Sequence, residues 1–96
     1  MNILTFIWDE RKNTINRQKH GVTFEEAETV FYDENALLIS DPEHSTGEDR
    51  FLLLGFSSSA KMLVVSHCYR ENDNIIRIIS VMKADKKERQ HYFERL

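Results

Sequence analysis

Residues 50–82 read RFLLLGFSSSAKMLVVSHCYRENDNIIRIISVM, and the punctuation of this stretch decides the fold. Arg50–Ser57, Met62–Arg70 and Ile75–Met82 are rich in Leu, Val, Ile and Phe and read as strands. Ser57–Lys61 and Glu71–Asn74 separate them as turns, since Asn and Asp tolerate a left-handed backbone. Strands joined by connections this short form an antiparallel meander. Outside the meander, Ala36–Ser40 predicts another strand, and Asp41–Asp49 is a polar loop holding the only proline, Pro42. Leu4, Phe6 and Trp8 alternate with Thr5 and Ile7, so 3–8 predicts a short first strand.

Three helices complete the pattern. The most polar covers residues 9–20, with Asp9 as N-cap, Lys19 and His20 at the C-terminal end, and Gly21 as the left-handed stop. Ile15 is its only large apolar residue, so core packing alone is not expected to hold it. Lys12, Asn16 and Lys19 recur on one face of this helix. Thr23 and Glu26 predict a capping box for a second helix, whose Phe24, Ala27, Val30 and Phe31 face the core while Glu25, Glu26 and Glu28 face water. Asp85 and Glu88 predict a third, with Tyr92, Phe93 and Leu96 as its apolar edge and Lys86, Lys87 and Arg89 exposed. The order β-α-α-β-β-β-β-α predicts one α+β domain over 1–96, an antiparallel sheet with helices packed on one face.

Composition narrows the function classes. The 96 residues suit a single core, and 30% charged with 41% hydrophobic residues is ordinary for a globular chain. A lone cysteine, Cys68, excludes an internal disulfide and any multi-cysteine zinc site. The apolar run Ile3–Trp8 is too short for a signal segment or a membrane span, so the chain is expected in a reducing cytoplasm with no membrane partner. Net charge is −3, but it is unevenly spread. Residues 1–50 carry eleven acids against five bases, and residues 51–96 carry five against eight. The basic half can meet a polyanion that the acidic half would repel.

Arginine and histidine inside apolar strands need a reason. Arg77 interrupts Ile75–Ile79, the most apolar segment of the chain. If residue 56 pairs with 62 and 70 with 75, Arg50 and Arg77 both flank Cys68 on one face, with Ser66 close by. A one-residue slip would pair His67 with Arg77 instead. Both registers remain open at the level of sequence. Two arginines on one sheet face make a phosphate-binding surface, because guanidinium forks bind phosphate oxygens bidentately. The alternative is that each pairs with a local carboxylate such as Glu48 or Asp49. His67 is a candidate general acid or base. His44 lies among Asp41, Glu43, Glu48 and Asp49, yet no spacing there is diagnostic of a metal, and no cofactor is expected.

Trp8-Asp9-x-x-Lys12-x-x-x-Asn16-x-x-Lys19-His20-Gly21 resembles the opening of the BrnT-type toxin family. The likeness continues through Phe24–Ala27, Asp41-Pro42-x-His44-Ser45-x-Gly47-Glu48-x-Arg50, Ile76–Ser80, and Lys83-Ala84 to Glu88-Arg89 and Tyr92. Met82 stands where similar chains carry a basic residue. The resemblance implies a RelE-like fold and the toxin of a type II toxin–antitoxin pair. It further implies an endoribonuclease that blocks translation, neutralised by a ribbon-helix-helix antitoxin (BrnA-like) through which the pair meets operator DNA. Arg50, His67 and Arg77 would then be catalytic, with Lys83 a possible partner. Lys83, Lys86, Lys87 and Arg89 would hold RNA, and Trp8, Lys12, Asn16, Lys19 and His20 would form an antitoxin-binding or structural face. The alternative is a non-catalytic module that pairs with the antitoxin as a co-repressor.

Overall fold

The computed structural model describes residues 4–96. The elements follow the expected order: β1 (Thr5–Ile7), α1 (Glu10–His20), α2 (Phe24–Val30), β2 (Leu37–Ser40), β3 (Phe51–Phe56), β4 (Met62–Arg70), β5 (Ile75–Lys83) and α3 (Lys86–Glu94). Ile3, expected in the first strand, lies outside the described residues. The sheet runs β1-β5-β4-β3-β2. All its pairs are antiparallel except β1–β5, which is parallel, so the sheet is mixed at that edge.

The register that sets Arg50 and Arg77 on one face is the one adopted. Phe56 pairs with Met62, Arg70 with Ile75, and Cys68 with Arg77. The slip that would oppose His67 to Arg77 does not occur, because His67 opposes Ile78. One feature is absent from both expected registers. Ser66 pairs with Ser80 although His67 pairs with Ile78, so Ile79 is an extra residue, a β-bulge. The bulge resets the alternation of β5. Val81 thereby turns into the core beside Val65, where Ser80 would otherwise fall.

Each face of the sheet has its own apolar cluster. Leu53, Leu63, Val65, Ile76, Ile78 and Val81 meet Phe24, Ala27 and Val30 of α2 on one face. Leu54, Met62 and Val64 meet Tyr92 of α3 on the other. Helices on a single face were expected, but that holds only for α1 and α2; α3 crosses to the opposite side. An amphipathic edge says that a helix packs on a sheet, not on which face. The Tyr92 hydroxyl and the Phe56 N–H both donate to Asp33 Oδ2 at 2.8 Å, tying α3 across the end of the sheet. Arg95 reaches the Asn35 carbonyl nearby. Burial and then the Asp33 carboxylate push the Tyr92 hydroxyl up to about 12. Gly55 permits this close approach, since a Cβ there would lie 2.9 Å from Asp33 Oδ2.

The caps of α1 form as expected. Asp9 accepts from the Arg11 N–H, and Gly21 adopts φ 71° with its N–H donating to the Arg17 carbonyl. The capping box of α3 closes in both directions. That of α2 is half-made. Thr23 accepts from the Glu26 N–H, but the Glu26 carboxylate turns away to accept from Ser57 and Ser59. Glu26 therefore braces the β3–β4 turn instead of facing water.

Two asparagines hold the polar helix α1 to the fold. Asn13 accepts from the Phe24 N–H and donates to Glu10 and Glu25, fastening α1 to the start of α2. Asn16, 6% exposed, donates to the Val22 and Val81 carbonyls and accepts from the Val81 N–H at 2.8–3.0 Å. β1 pairs with β5 only as far as Arg77. Beyond it, the Asn16 amide takes the place of a neighbouring peptide and satisfies Val81 in both directions. Removing it leaves buried backbone groups unpaired, a cost of about 1–3 kcal/mol each. Asn16→Ala is expected to lower unfolding stability by about 2–4 kcal/mol in urea titration, whereas Ile15→Ala, at a 53% exposed site, changes it by about 0.5 kcal/mol or less.

Candidate functional site

The row Arg50–Cys68–Arg77 crosses three adjacent strands. Cys68 opposes Arg77 directly. On the other side, the Asp41 N–H donates to the Arg50 carbonyl at 2.9 Å, carrying the β2–β3 ladder one residue past Phe51. Phe51 packs against His67 and Tyr69, so alternation turns Arg50 to the opposite face, the face of Cys68 and Arg77. Strand spacing sets the two arginine Cα atoms about 10 Å apart. Ser66 and Ser80, paired with each other, add hydroxyls to the same face.

The charge on this row is uncompensated. Among the described residues neither Arg50 nor Arg77 is in an ion pair, and Glu48, one of the expected local partners, is taken by Arg70 at 3.0 Å. Arg50 Nε is buried with no hydrogen-bond partner. A guanidinium held this way gains from an anion that accepts its remaining donors. Beside the row, a groove of about 430 Å³ runs between the sheet and α3. Ile39, Leu52, Leu54 and Val64 form its floor, and Lys87, Glu88 and His91 are among its α3 wall. Leu52 follows Arg50 by two residues on this face, so the groove begins about 7 Å along the strand from the arginine row.

His67 does not belong to this site. It is 0% exposed and sits on the α1–α2 face, edge-on to Phe31 at 4.9 Å. Its Nδ1–H donates to the Val65 carbonyl, and the Tyr69 hydroxyl donates to its Nε2. The neutral Nδ1–H tautomer satisfies both bonds, and burial holds the pKa of the ring below the ordinary 6.5 despite the Val65 carbonyl. This corrects its expected place beside the arginines. The physical reason is alternation: a residue directly before Cys68 must face the other way.

Lys83 is also turned away. It pairs with Leu63, and its Nζ lies 4.0 Å from where a Gly21 Cβ would stand, at the negative end of α1. Unbroken alternation from Arg77 would have put Lys83 on the arginine face; the bulge at Ile79 reverses it. Lys86, Lys87 and Arg89 are exposed on the first turns of α3, and Lys87 lines the groove. Trp8 packs edge-on to Phe24 and donates to Glu10. Lys12, Lys19 and His20 line a separate cleft with Ile15, Asn16, Ile79 and Ser80. His44 pairs with Asp41 at 3.0 Å. Sequence reasoning did not single out His91, which also lines the groove. Its position one residue before Tyr92 was the available signal, but its place in the groove depends on α3 lying on the face opposite α1 and α2.

The sheet face thus carries two arginines without an ion-pair partner among the described residues, bounded by a helix that bears lysines, an imidazole and the carboxylates Glu88 and Glu94. Residues 8–88 match the family model described as the ribonuclease toxin, BrnT, of type II toxin–antitoxin systems. The chain belongs to this family and is a ribonuclease toxin, with a cognate antitoxin as its partner. The crystal structure of the Brucella abortus ribonuclease toxin BrnT superposes with a TM-score of 0.67 at 21% identity, covering 88% of this chain and 100% of that one. This similarity shows the fold. No functionally curated protein matches the chain by sequence.

The environment of His67 makes stability pH-dependent with a definite sign. Its folded pKa lies below the unfolded value, so its contribution is complete above about pH 6.5 and is lost as pH falls through the folded value. The urea midpoint is expected to fall between about pH 7 and about pH 5, and His67→Phe to flatten that fall.

Proposed function

We propose that the chain is a metal-independent endoribonuclease whose scissile phosphate binds between Arg50 and Arg77 on the α3 face. The observation that carries this reading is the unpaired arginine row with the buried, unpartnered Nε of Arg50. The RNA 2′-hydroxyl attacks the adjacent phosphorus, the bond to the 5′-oxygen breaks, and a 2′,3′-cyclic phosphate and a 5′-hydroxyl result. Charge on the non-bridging oxygens grows along this path. Two preorganised guanidinium groups stabilise it in the transition state and supply the charge that a metal would otherwise bring. His91, which lines the groove, passes the proton. Lys86, Lys87 and Arg89 hold the RNA backbone without reading its sequence. RNA cleavage inhibits translation in the cytoplasm. The cognate antitoxin is of the ribbon-helix-helix type, and operator DNA is met only through it.

Arg50→Ala and Arg77→Ala are each expected to lower RNA cleavage by about 100-fold or more, the scale of removing one transition-state donor, and to abolish growth arrest on induction. Cleavage at the wild-type rate in both variants would remove the arginine row from the mechanism. A wild-type chain that neither cleaves RNA nor slows growth when expressed without its antitoxin would instead support the co-repressor reading.

A further inference from the structure

A second cationic site lies at the edge of the sheet. Lys12, Lys19 and His20 on α1 line a cleft of about 200 Å³ whose other wall is Ile79 and Ser80 of β5. No carboxylate lines it. The Asn16 amide at its base is saturated by the Val22 and Val81 backbone, so it holds the walls together and has no donor left for a ligand. The cleft exists because β1 stops opposite Arg77 and because the bulge at Ile79 opens the strand just beyond. Ser80 joins the two sites. It lines the cleft, and its pairing with Ser66 puts it on the face of Arg77, three residues and about 10 Å along the same strand. A few nucleotides of a single RNA strand span that distance.

We propose that this cleft is a second phosphate subsite, which holds the RNA backbone a few nucleotides from the bond that is cut. The inference rests on the ribonuclease reading and names where the same substrate continues. Lys12 and Lys19 neutralise phosphate oxygens, the Ser80 hydroxyl donates to one of them, and Ile79 offers an apolar contact to the sugar. The chemistry favours RNA over the antitoxin. A stable protein interface needs roughly 800 Å² from each partner and is depleted of lysine at its centre, while this site is small, concave and centred on lysines.

The test uses the full chain and a short 2′-O-methyl oligoribonucleotide, which binds but has no free 2′-hydroxyl to attack. Lys12→Gln/Lys19→Gln is compared with Arg11→Gln/Arg17→Gln, which removes the same charge from the same helix outside the cleft. The lysine pair is expected to weaken binding about 10-fold or more and to reduce the slope of log affinity against log salt by about 1.4, two phosphates' worth for a single strand. The arginine pair leaves the slope within about 0.3 of the wild type, and antitoxin affinity is held in both. Equal losses in the two double variants would overturn the proposal, since total charge would then be the cause. Unchanged RNA binding with lost antitoxin binding would also overturn it, by making the cleft part of the partner interface. Binding is read without cleavage, so failure of this subsite and failure of the catalytic reading give different results.

Discussion

A strand sends successive side chains to opposite faces, and the pairing of Cys68 with Arg77 fixes which face is which for the middle of this sheet. From that one pairing, Arg50 and Arg77 converge on the α3 side, while His67 enters the core among Phe31, Phe51 and Tyr69. Among the described residues the bulge at Ile79 is the one exception to regular alternation, and it has two consequences. Val81 becomes a core residue, and Lys83 leaves the arginine face for the end of α1. The same irregularity opens the strand edge that the Asn16 amide then closes.

The fold turns a weakness of its polar helix into an anchor. α1 contributes almost no apolar surface, yet two short amides bind it to the backbone of α2 and β5. Those bonds use buried asparagines, and among the described residues Lys12 and Lys19 beside them are in no ion pair. Helix attachment and charge presentation are thus separated along one surface, with Asn13 and Asn16 doing the first and Lys12 and Lys19 available for the second.

Much of this architecture was legible in the sequence, since turns, caps and strand composition are local signals. The meander, the limits of α1 and the Asp85–Glu88 box needed no tertiary information. The first register for Cys68 and Arg77 was also readable, as one of two. What stayed hidden depends on distant partners. Asn16 looks like any exposed polar residue until Val81 is placed beside it, and Glu26 looks solvent-facing until Ser57 and Ser59 arrive. The bulge leaves no mark in a run as uniform as Ile75–Val81, so the direction of Lys83 could not be read. Nor could the side of α3, and with it the position of His91.

The account stands on the claim that phosphate binds at the arginine row and not among the buried aromatics on the other face. The most direct measurement is a crystal structure of the chain with a 2′-O-methyl oligoribonucleotide. A phosphate accepting hydrogen bonds from both Arg50 and Arg77, beside Cys68 and the α3 groove, is the predicted result. A scissile-strand phosphate seated at His67 or over α2, with the two arginines left without contact, would contradict it.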